Sequence, residues 1–83
     1  MIAIIKDGSS YYVFYFDSQE YMNTTDLSKP TFRRSFDMLA NDIFNESETN
    51  LSVDYFKHYP SDELIYIGGS FDDFMEEYPE YFI

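Results

Sequence analysis

Residues 2–16, IAIIKDGSSYYVFYF, decide how the chain folds. Two runs rich in Ile, Val, Tyr and Phe, Ile2–Lys6 and Tyr11–Phe16, flank Asp7-Gly8-Ser9-Ser10. Asp-Gly between two β-forming runs is a strong hairpin signal. Side chains alternate across a strand, so Tyr11, Val13 and Tyr15 share one face while Tyr12, Phe14 and Phe16 share the other. Both faces are apolar or amphipathic. One is expected to pack on helices, the other to meet a partner or a second copy of the chain.

Beyond the hairpin, Glu20–Met22 is a short strand candidate. In TFRRSFDMLANDIFNE the residues Phe32, Phe36, Leu39 and Ile43 recur every three or four positions, widened by Ala40 and Phe44. That spacing predicts an amphipathic helix from Thr31 to Asn45, with Pro30 suited to its first turn. LSVDYFKHYP is ambiguous: Leu51, Val53 and Tyr55 alternate, yet a Ser52 cap ahead of Pro60 favours a short helix. Glu63–Ile67 is continuously apolar after its first residue and is expected to be a central strand ended by Gly68-Gly69. Ser70 and Asp73 have the spacing of a helix cap, which predicts a helix from Phe71 to Tyr78, before Pro79. The expected fold is α+β, a single domain over residues 1–83. A small antiparallel sheet with an N-terminal β-hairpin packs against two or three helices, which cover one face.

Nine Phe and nine Tyr must supply much of the small core, because a chain of 83 residues buries little more than ~60% of its unfolded surface. There is no cysteine, so neither a disulfide nor a thiolate metal site holds the fold. MIAIIKDG lacks the basic start and long apolar run of a secretory signal, and no stretch approaches a membrane span. The expectation is a soluble protein of the cytoplasm.

Charge is unevenly placed. Residues 1–40 hold five acids and four bases, whereas residues 41–83 hold eleven acids and one base, Lys57. A net charge of −11 argues against direct binding to a phosphate backbone or an anionic membrane, both of which rely on Lys and Arg. A basic protein is the natural complement. Acidic disordered tails are poor in aromatics, and this half is not, so it is read as folded.

The charge concentrates in GGSFDDFMEEYPEYFI, residues 68–83. Phe71, Phe74, Met75 and Tyr78 make an apolar helix face, leaving Asp72, Asp73, Glu76 and Glu77 on the rest of the cylinder. Asp72/Glu76 and Asp73/Glu77 are like charges four apart, each costing roughly 0.2–0.5 kcal/mol. A helix built only for stability would carry a Lys at one of them. Along the helix the four fall at about one charge per ~1.9 Å, close to the ~1.7 Å of duplex DNA.

In size, acidity and aromatic content the chain resembles the small DNA-mimic inhibitors that bacteriophages encode against uracil-DNA glycosylase, restriction enzymes and CRISPR effectors. The resemblance implies a non-enzymatic, counter-defence or host-takeover inhibitor that occludes the basic groove of a nucleic-acid-processing enzyme. The residues expected to meet that partner are Asp72, Asp73, Glu76, Glu77 and Glu80, then Glu46, Glu48, Asp62 and Glu63. Tyr78, Tyr81 and Phe82 are expected as apolar anchors.

IAIIKDGSSYYVFYFDSQ and LIYIGGSFDDFMEEY also resemble two parts of the proteasome-like N-terminal-nucleophile hydrolases: the opening hairpin, and the strand, Gly-Gly turn and acidic-aromatic helix. The family's nucleophile is an N-terminal Thr, Ser or Cys, whereas this sequence opens Met1-Ile2. It is also shorter than the family's two-sheet sandwich. This resemblance implies a truncated, catalytically dead remnant that binds a protease assembly. A third expectation is a homodimeric accessory or structural protein whose acidity serves solubility.

No catalytic, metal or cofactor site is expected. His58 has only Asp54 as a possible orienting carboxylate, and a surface role suits it better. One short acidic helix cannot wrap a cation, and no EF-hand loop is present. Arg33 and Arg34 are read as an anion anchor or as partners of Asp37 and nearby acids.

Overall fold

The fold is described from a computed structural model, whose described residues are 1–29, 31–36, 53–59 and 62–82. Five strands form one antiparallel sheet: β1 (Ile2–Asp7), β2 (Ser10–Tyr15), β3 (Glu20–Thr24), β4 (Arg33–Ser35) and β5 (Leu64–Gly68). Their order is β4-β3-β2-β1-β5. Helices α1 (Val53–Lys57) and α2 (Phe71–Glu77) and a 3-10 turn (Pro79–Phe82) complete the described elements. The expected α+β architecture with an N-terminal hairpin is what the structure shows.

The hairpin closes on Gly8-Ser9, with Asp7 paired to Ser10. Gly8 has φ +62° while Ser9 does not take a positive φ, the pattern of a type II′ turn with glycine in its first central position. From this turn the register follows: Ile4 opposite Val13, Ala3 opposite Phe14.

Both sheet faces are covered, which corrects the expectation of helices on one face only. Ala3, Ile5, Phe14 and Tyr21 meet Phe56 of α1, whose ring centre lies 4.6 Å from that of Phe14. Ile2, Ile4, Val13 and Met22 meet Phe74 of α2, together with Leu27. Four consecutive buried residues in β1, Ile2–Ile5, are the sequence correlate of a strand covered on both sides.

Two element expectations are overturned. Arg33–Ser35 is a strand, not the start of a helix: Arg33 pairs with Met22, Arg34 with Tyr21 and Ser35 with Glu20. The Phe36 N–H continues the ladder to the Gln19 carbonyl (3.0 Å). Phe32, counted in the helical stripe, is 91% exposed. Pairing with β3 outweighs the local periodicity. The remainder of the predicted helix, residues 37–45, lies outside the described residues.

The second correction concerns β5, which among the described residues pairs only with β1 and lies at the end of the sheet. Its apolar run reflects two covered faces, since α1 and α2 pack against it from opposite sides. A β-bulge falls between Ile4 and Ile5, where Ile4 pairs with Tyr66 and Ile5 with Leu64, leaving Ile65 as the extra residue. The bulge turns Leu64 to the α1 cluster while Tyr66 stays with the α2 cluster.

Candidate functional site

The acidic helix is fixed from below. Ser70 caps it, its hydroxyl accepting from the Asp73 N–H (3.1 Å), and the Tyr78 N–H returns to the Phe74 carbonyl (2.9 Å). Phe74 is fully buried among Tyr66, Phe71, Tyr78, Tyr81 and Phe82, with ring centres 5.2–5.9 Å away. With Phe74 anchored, the orientation of the opposite face is set.

Asp72, Asp73, Glu76 and Glu77 are all exposed on that face, and Glu80 is exposed in the following 3-10 turn. At about 100° per residue the four helical carboxylates fill an unbroken arc of roughly 140°. None of the five lies within ion-pair distance of a base among the described residues. The bases are engaged elsewhere or distant: Lys29 with Asp26 and Lys57 with Asp54 (both 3.9 Å), Lys6 over the Tyr11 ring (5.9 Å).

The arc has two flanks. Asp73 and Glu77 lie beside β5: partial burial first, then the charges of Glu77 and Asp73, push the Tyr66 hydroxyl above its ordinary pKa. On the other side Asp72 lines a cleft of about 500 Å³ with Met1, Tyr15, Asp17, Arg33 and Ser70. Arg33 stacks over Tyr15, its guanidinium carbon 3.8 Å from the ring centre. Among the described residues no ion pair joins it to a helix carboxylate.

Asp62 and Glu63 are exposed just before β5. Glu63 sits near Tyr59, whose hydroxyl is raised by burial and then by Glu63, Tyr55 and Asp7. Asp7, a residue that sequence reasoning passed over, thus joins the acidic end of the molecule; its hairpin position gave no signal because the pairing with β5 is long-range. Glu46 and Glu48 lie outside the described residues.

Tyr78, Tyr81 and Phe82, expected as anchors for a partner, are half-buried in the α2 cluster. The unforeseen 3-10 turn folds Tyr81 against Tyr11 (6.1 Å) and Phe82 against Phe71 (5.7 Å). The apolar side chain left open on this face is Met75, 40% exposed. It lines an apolar groove of about 250 Å³ with Met22, Leu27 and Phe82. Counting Met75 with the core stripe had hidden it, since a stripe edge and a stripe centre have the same spacing.

His58 is exposed, and its Nδ1 donates to the Asp54 carbonyl oxygen (2.9 Å), while the Asp54 carboxylate faces Lys57. No base-orienting pair forms there. No group of three or more His, Asp or Glu side chains among the described residues is arranged to hold a metal ion. No helix among them is long and apolar enough to cross a membrane. In comparisons with known proteins, no family model, no curated protein and no solved structure matches the chain.

Proposed function

We propose that the protein is a non-enzymatic binding module of the cytoplasm that occludes a basic, nucleic-acid-binding groove on another protein. The observation that carries this reading is the unbroken carboxylate arc of α2, exposed, unpaired among the described residues and anchored by buried Phe74. Carboxylates at DNA-like linear density substitute for phosphates, and an anchored geometry reduces the ordering cost of docking. The like-charge pairs oppose helix stability, and a basic partner converts them into attraction.

The test is capture from nuclease-treated bacterial lysate on the immobilised protein, at low and high salt. Partners are identified by mass spectrometry and then challenged with duplex DNA. The expected result is a nucleic-acid enzyme retained at low salt and displaced by DNA. Glu76→Lys/Glu77→Lys is expected to abolish retention while keeping the fold. Equal retention by that variant overturns the reading.

A second reading has its own observation. Gly68 pairs with Ile2, which sets the Gly68-Gly69 turn beside the start of the opening hairpin, so the two stretches that resemble the hydrolase family are neighbours in the sheet. The cleft between Met1, Asp17, Arg33 and Ser70 lies there, with Met1 where a nucleophile is required. On this reading the protein is an inactive remnant docking on a protease assembly. Salt-resistant retention of a protease in the same experiment would favour it.

A further inference from the structure

We infer that the outer edge of β5, which has no strand partner among the described residues, is a docking site for an extended, Lys- or Arg-bearing segment of a partner protein, which adds to the sheet beside it. This rests on the reading that the partner is basic, and it says how that partner is gripped.

The backbone geometry identifies the available groups. The Phe16 N–H bonds to the Met1 carbonyl (3.2 Å) and the Lys6 N–H to the Glu63 carbonyl (2.8 Å). Backbone groups alternate along an antiparallel strand, so Ile2, Ile4 and Lys6 turn toward β5, and Ala3 and Ile5 toward β2. Opposite Ala3 and Ile5 stand Ile67 and Leu64. Their N–H and C=O groups consequently point away from β1, to the outer edge. No backbone or side-chain hydrogen bond from the described residues reaches them.

Edge strands are commonly blunted by Lys, Pro or an inward charge. LIYIG has none of these, and only the bulge at Ile65 interrupts it. Carboxylates flank it on both sides: Asp73 and Glu77 next to Tyr66 on the α2 side, Glu63 with Asp7 next to Tyr59 on the α1 side. Every one of these four is exposed. A second copy of the chain would bring the same acids against themselves across the new pair. An incoming strand with cationic side chains pairs with them instead, with main-chain bonds giving affinity and charge giving choice of partner.

The probe is the acetylated, amidated heptapeptide Lys-Val-Lys-Val-Lys-Val-Lys, compared with its fully N-methylated analogue, which keeps the charge and loses every backbone donor. The expected result is at least a tenfold weaker dissociation constant for the methylated peptide. Amide exchange at Leu64 and Ile67 is expected to slow on adding the unmethylated one. Equal, salt-sensitive affinity for both peptides overturns edge pairing and leaves the charge reading standing. Failure of both peptides to bind at millimolar concentration overturns both. Protection of Leu64 and Ile67 that grows with protein concentration alone assigns the edge to a second copy and overturns the proposal.

Discussion

Gly68 and Tyr66 lie on the same side of β5, and the tyrosine ring occupies the space that a side chain at 68 would need: an added Cβ would overlap the Tyr66 hydroxyl and ring. The glycine is thus fixed by close approach, with no unusual backbone angle involved. Gly68→Ala is expected to cost about 1–3 kcal/mol by overpacking, and the cost is expected to vanish in a Tyr66→Ala background. Urea denaturation of the four proteins in a double-mutant cycle measures it. Glycine at 68 was legible in the sequence as the end of a strand, but not as half of a packed pair. Gly8 was fully legible, because a two-residue hairpin turn needs a positive φ that glycine accepts.

Among the elements, α2 follows from local chemistry. Ser70 was recognisable as its cap, and Ser70→Ala is expected to lower stability by about 0.5–2 kcal/mol, read from the same denaturation curves. The Glu76→Lys/Glu77→Lys helix is expected to be more stable than the parent by roughly 0.8–2 kcal/mol, since two repulsive pairs become attractive. Greater stability together with lost binding would separate function from folding at these positions. The strands divide by how local their determinants are. β1 and β2 were readable because a turn joins them directly. β4 was misread because Phe32 and Phe36 mimic a helical interval, while its true partner, β3, lies across an intervening loop. β5 was recognisable as a strand, but its place at the edge was not. An apolar run reports how many faces are covered and carries no information on how many neighbours supply hydrogen bonds.

At the scale of the whole molecule, the acidity of the second half was plain from the sequence, and so were the exposed positions of α2. What the sequence left out was the convergence of Asp7, Glu63, Asp73 and Glu77 around β5, which only long-range strand pairing creates. That convergence has a titration signature. Burial first, then the charges of Glu63 and Asp7 at Tyr59 and of Glu77 and Asp73 at Tyr66, raises these two hydroxyls above the ordinary tyrosine range. A group whose folded pKa is raised contributes stability that is present below its unfolded pKa and lost as pH rises through the folded one. Stability is therefore expected to fall once pH passes the ordinary tyrosine value of ~10. Ultraviolet titration is expected to show a late-ionising set, shifted earlier at Tyr66 by Glu77→Gln.

The strand order also fixes a sequence of events in folding. β1 is joined to β2 by two residues, yet its other neighbour, β5, comes from near the far end of the chain. The hairpin and β3 form from local contacts, with little loop entropy to overcome, whereas β5 must close a long loop. Until it does, Ile2–Ile5 present a bare, apolar strand edge to the surroundings. The most buried strand of the finished protein thus depends on the last-arriving neighbour for half of its pairing, and the interval before β5 arrives is when misassembly threatens most.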